Sequence, residues 1–104
     1  MITVVLPNAI PYLLGNPNPK RTRILIQMRS TIVDANNTGN IKVSYNTQPN
    51  SGNTTPTTGY MLTQGAYIIN KDQDGTMPPA AKGQIWLLAS AADQSIDWEE
   101  DVSE

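Results

Sequence analysis

The chain has no cysteine, no histidine and no phenylalanine. Without cysteine there is no disulfide framework and no thiolate chemistry. Without histidine there is no zinc-finger site and no imidazole to move protons near neutrality. The missing cysteine suits a reducing cytoplasm as the place of synthesis. A core without phenylalanine must rest on Ile, Leu, Val, Met, Tyr and two Trp, a thin inventory for 104 residues. Charge is also scarce, at 15% of positions with a net of −2, which argues against a nucleic-acid partner. No apolar run nears the ~20 residues that a membrane-spanning helix needs, so no membrane partner is expected. The opening MITVVLPNAIPYLL lacks a positive leading segment, and Pro7 and Pro11 interrupt it, so no secretory leader is expected either.

What the chain does have is alternation. In Thr22 to Ser30, TRILIQMRS, apolar Ile24, Ile26 and Met28 share one face of an extended strand, and mostly polar residues fill the other. A second alternating run, Ile41 to Tyr45, follows a DANNTGN turn, and GYMLTQGAYIIN, GQIWLLAS and SIDWEE come later. Period-two patterning with one packed face indicates antiparallel sheet. Six to eight short strands with no helical period predict an all-β domain, a small antiparallel β-sandwich or jelly-roll-like barrel.

Three stretches are expected along the chain. Residues 1–21 read as a short strand, Ile2 to Leu6, followed by a proline-rich arm in which Pro7, Pro11, Pro17 and Pro19 forbid helix and interior strand. Residues 22–99 read as the β-sandwich, and 100–104 as an acidic tail. The first strand of the sandwich is expected to run on through Ile32-Val33. Gly59 to Asn70 reads as two strands or one bent at Gly65, with Tyr60, Leu62, Tyr67 and Ile69 as packing candidates. QIWLLAS, mostly apolar, should be buried on both faces. The loops at 47–58 and 71–81 are long, and long loops in small domains tend to carry function.

Little in the sequence supports catalysis, and no enzyme is expected. Asn70-x-Asp72-x-Asp74-Gly75 begins like a calcium loop, but the twelfth position is Ala81 rather than a bidentate Glu, so neither metal nor cofactor is expected. The acids sit in turns or near the end, the serines lack a His partner, and no glycine-rich loop opens a helix. Asn36-Asn37-Thr38 and Asn53-Thr54-Thr55 match glycosylation acceptors but read as turn chemistry. Trp86, inside QIWLLAS, is expected in the core. Trp98 is left among three roles: capping the core, touching a subunit, or reading a ligand.

Charge is unevenly spread. Lys20, Arg21, Arg23, Arg29 and Lys42 lie in the first half, whereas Asp93, Asp97, Glu99, Glu100, Asp101 and Glu104 crowd the end. One reading is solvated strand faces with a frayed acidic tail. The other is a bipolar molecule whose acidic end meets a basic patch on a neighbour.

Arg23 through Gln27, Asn40 to Tyr45, Gly59 to Gly65, Gly83 to Leu88 and Ile96 to Glu99 follow one another in an order that resembles a family of small β-sandwich proteins in tailed-phage virions. The chain departs from that pattern in continuing apolar to Met28 and in its long loop at 47–58. The resemblance implies a virion structural protein made in the host bacterial cytoplasm, most simply a capsid decoration (cement) protein. It further implies the major capsid protein as partner and a homo-oligomer, with a trimer favoured. On that reading Ile10, Tyr12, Leu13 and Leu14 of the arm, with Arg21, Arg23 and Arg29, would form the capsid-binding side. Trp98, Glu99, Glu100 and Asp101 would meet a neighbouring subunit. The alternatives are a receptor- or glycan-binding domain of a phage fibre or spike, and a small carbohydrate-binding module.

Overall fold

The computed structural model describes residues 1–7, 10–46, 59–71 and 82–103. These residues are all-β, and among them are eight strands: β1 (Ile2–Leu6), β2 (Tyr12–Gly15), β3 (Arg21–Met28), β4 (Ile41–Tyr45), β5 (Gly59–Leu62), β6 (Tyr67–Lys71), β7 (Ile85–Ala89) and β8 (Gln94–Val102). They form two antiparallel four-stranded sheets, ordered β1-β8-β3-β6 and β2-β7-β4-β5. The first strand pairs the last, the second the seventh, the third the sixth and the fourth the fifth. The chain is thus one long folded-back ribbon rolled into a sandwich, which is the jelly-roll topology.

The expected alternation in β3 is present: Ile24, Ile26 and Met28 are fully buried, and Arg23, Leu25 and Gln27 face outward. Across the sandwich Ile41, Val43, Ile85 and Leu87 close the core, which Leu6, Leu62 and Ile96 complete. β-Branched Ile and Val recur at these positions because a branched side chain fits a pleated, half-buried surface. β4 is buried along its whole length, and in β7 Leu87 and Leu88 are both buried although they point to opposite faces, as QIWLLAS predicts.

Several boundaries differ from the sequence reading. Residues 1–21 are not a separate arm: β1 borders one sheet, and β2, inside the proline-rich stretch, borders the other. Edge placement suits a segment that prolines bar from a sheet interior. The acidic tail is not a tail, since β8 continues through Val102 and lies beside β3. β3 stops at Met28, and Ile32-Val33 belong to a turn instead of a strand. The chain between β5 and β6 is a true reversal, with Gly65 at φ 78°, where a side chain would be strained. β6 packs Ile68 inward, leaving Tyr67 and Ile69 on the outer face. The loop at 47–58, most of that at 71–81 and the calcium-like motif lie outside the described residues.

Candidate interaction surface

The arginines and acids that the sequence separates by some seventy positions are neighbours in space, because β3 and β8 are paired. Arg23 Nη2 lies 2.7 Å from Glu99 Oε1, and its Nη1 lies 3.7 Å from Asp101. Arg29 Nε lies 3.2 Å from Asp97. Arg23 stands directly opposite Asp101 and reaches its diagonal neighbour Glu99, a usual contact for long side chains across an antiparallel pair. The hydrogen bond from Arg23 holds the Glu99 carboxyl below its usual range, and Glu99 in turn raises Arg23.

Arg21 goes elsewhere. It is 1% exposed, and its Nε donates to Glu100 at 2.7 Å. Nη1 donates to the carbonyl of Gly83 and Nη2 to that of Asn16. Gly15 makes room for it: a Cβ there would stand 3.2 Å from Nη2.

These pairs correct the expected attachment side. Arg21 is inside the protein, and Arg23 and Arg29 are half-buried and committed to acids of the same chain, so the basic and acidic groups are not two opposed docking surfaces. Glu99 and Glu100 are likewise occupied within the chain, and only Asp101 of that group is well exposed. Tyr12 and Leu14 are partly buried against the core, and so is Trp98, which faces Ile26 from the inner side of β8. Trp86 is the reverse case. It points outward from β7, between Leu13 and Ser44, with its indole N–H donating to Gln84.

Of the expected contact residues, Ile10 (59% exposed), Leu13 (38%) and Asp101 remain at the surface. The sequence reading missed a more prominent pair. Ile32 is 95% exposed and Val33 63%, side by side on the β3–β4 connection. That connection is fixed from both flanks. Ser30 O accepts from the N–H groups of Val33 and Asp34, and Gln64 Oε1 accepts from Thr31 N and Oγ1. Asp34 accepts from the hydroxyl of Ser95 and from Asn36 N, and these bonds, the first foremost, lower its pKa. Asn37, fully buried, donates to the carbonyls of Arg29 and Ser95 and accepts from Ser95 N at 2.7 Å. Gln94 ties in Gly39 N and Asn36 O. The result is an apolar knob on a hydrogen-bonded base. The signal was present: two aliphatics between Ser30-Thr31 and Asp34 are too few for a strand of their own.

The antiparallel roll gathers the β1–β2, β3–β4, β5–β6 and β7–β8 connections at one end of the sandwich. Hydrogen bonds from Thr31 to Gln64, Gly39 to Gln94 and Asn40 to Ser90 join three of them there. Ile10, Ile32 and Val33 all belong to this end. Among the described residues no three Asp or Glu side chains gather where a metal ion could be held, and no helix is long and apolar enough to cross a membrane. Comparison with family models, with curated proteins and with solved structures finds no match to this chain.

Proposed function

We propose that this jelly roll is a non-enzymatic structural protein of a tailed-phage virion, a capsid decoration protein that seats on the major capsid protein through its knob end. The observation that carries the docking role is the Ile32-Val33 pair, exposed on a turn whose every flank is hydrogen-bonded. A rigid apolar projection binds without first ordering itself, and that lowers the cost of association. Ile10, also exposed, belongs to the connection between β1 and β2 at the same end. Because the arginines and acids neutralise one another within the sheet, attachment rests on apolar burial, about 25 cal/mol per Å², repeated over many copies. The virion setting itself rests on the motif order, and jelly rolls serve many functions.

The test is to purify particles from the source lysate and quantify this chain by mass spectrometry against the major capsid protein. Stoichiometry near that of the capsid protein supports decoration. A few copies per particle would move the chain to a tail or fibre, and absence would overturn the virion reading. Binding of the purified chain to particles lacking it should fail for Ile32→Ser/Val33→Ser.

Trp86 favours a second reading, a glycan-binding domain of a fibre or spike, because its half-buried indole lies on the outward phase of β7 and an indole is a ring on which a sugar stacks. Glycan affinity lost in Trp86→Ala would favour that reading over decoration.

A further inference from the structure

Among the described residues β1 is an outer strand, and its free side differs from the borders of the facing sheet. β2 and β5 are only four residues long, and β2 carries a register shift between Leu13 and Gly15. Short length and bulges are usual means by which a protein keeps a border strand from pairing with another chain. β1, Ile2-Thr3-Val4-Val5-Leu6, has no charge and no proline, and it pairs β8 without a register shift. Its run of four β-branched residues has high strand propensity. Ile2 and Val5 are each 60% exposed. Ile2 is especially telling. It stands opposite Trp98, on the side of the sheet that carries the core, yet among the described residues no strand lies beyond it and it is left exposed.

We infer that β1 pairs antiparallel with β1 of a second copy about a two-fold axis through Val4, joining two four-stranded sheets into one of eight. The second copy is the occupant that the strand itself specifies. About Val4 the sequence is self-complementary: Thr3 meets the copy's Val5 on the outer face, and Ile2 meets its Leu6 on the core side. A two-fold contact requires this reciprocity. The match does not depend on which residues of β1 turn their amides toward β8. If Thr3 and Val5 face the border, they bond each other across it, and if Val4 does, it bonds its own copy. The pairing also brings a second core-side surface beside Ile2. A charged foreign strand would gain nothing from this neutral border, whereas an identical neutral strand meets no like-charge penalty. The inference is independent of the virion reading, and it replaces the three-fold assembly implied by the family resemblance with a two-fold one.

The experiment is sedimentation equilibrium on the full chain over a wide concentration range, with two variants built on the predicted register. A border of five residues is small for an interface, so dissociation in the micromolar range or weaker is expected, about 10⁻⁶ M upward. Thr3→Lys/Val5→Lys sets Lys against Lys across the axis and should weaken the dimer at least about tenfold. Thr3→Lys/Val5→Glu sets Lys against Glu and should restore it. The circular dichroism of both variants should match that of the parent. As a check that needs no variant, amide exchange in β1 should slow as protein concentration rises. A monomer or trimer at millimolar concentration, a dimer indifferent to the charge pattern, or β1 exchange independent of concentration would overturn the inference.

Discussion

Arg21 and Glu100 meet at 2.7 Å on the inner side of their sheet, although strict alternation along β3 would turn Arg21 outward with Arg23. Arg21 stands opposite Val102 and Arg23 opposite Asp101, so two steps on β3 match one on β8, and Thr22 is the extra residue. This bulge flips the phase of the strand and re-aims a charged side chain inward, a common use of bulges. There the guanidinium ties β8 to the carbonyls of Asn16 and Gly83, joining three segments.

Replacing Arg21 should therefore cost far more than replacing Arg23. Arg21→Ala strands a carboxylate and two carbonyls, and a loss of about 3 kcal/mol is expected in urea unfolding. Arg21→Lys should recover only part of it, because an ammonium lacks the planar fork that serves three acceptors. Arg23→Ala removes a half-exposed pair and should cost about 0.5–1 kcal/mol. Equal losses at the two positions would contradict the bulge.

Asn37 is the second buried polar anchor. Its amide bridges Arg29 O, Ser95 O and Ser95 N at zero exposure. Asn37→Ala should destabilise by about 2 kcal/mol, since it leaves buried backbone groups unpaired. Asn37→Asp keeps the acceptor and loses the donor, so it should be no milder. Amide exchange at Val33 and Asp34 should rise in both variants, because the turn loses its floor.

Acid should loosen the same region. The Asp34 carboxyl is held below its usual range, chiefly by the Ser95 hydroxyl and then by Asn36 N–H, and Glu99 is held down by Arg23. In acid the unfolded chain therefore binds protons that the folded chain does not. The stabilisation is complete above the ordinary carboxylate pKa of about 4 and is lost as pH falls below it. The urea midpoint should drop across that window. Asp34→Asn, which has no proton to take up, should flatten the drop, and an unchanged slope would deny Asp34 its role.

The strands and the core were legible because period-two burial leaves a local trace. Ile24, Ile26 and Met28 could be read directly, and so could the burial of Ile85, Leu87, Leu88 and Ala89 within QIWLLAS. The ion pairs were not legible. Arg23 and Glu99 are far apart in sequence, and only the closure of the first strand upon the last, with β3 beside β8, makes them partners. Trp86 was misread, and the choice among three roles for Trp98 stayed open until the fold made it a cap on the core, for a related reason. Trp86 lies among apolar neighbours but on the outward phase, whereas Trp98 lies between acids but on the inward phase. Strand phase, set by pairing, outweighed local hydrophobicity. The Thr22 bulge had no mark that the sequence reading could use.

The exposed pair at the knob separates binding from folding. Ile32 and Val33 contribute almost nothing to the core, since they are 95% and 63% exposed, so Ile32→Ser/Val33→Ser should shift stability by no more than about 0.5 kcal/mol. Solubility should rise, because an apolar projection is removed from solvent contact. Gln64→Ala makes the complementary change. It keeps both aliphatics but removes the acceptor that fixes Thr31, so the knob should lose order while the β-sandwich holds. If rigidity is what makes the knob a docking element, Gln64→Ala should weaken particle binding through slower association or a larger entropic cost, with the contact residues intact. Full binding by Gln64→Ala would show that the aliphatics act without preorganisation. Unfolding of Ile32→Ser/Val33→Ser would show instead that the pair packs against the chain.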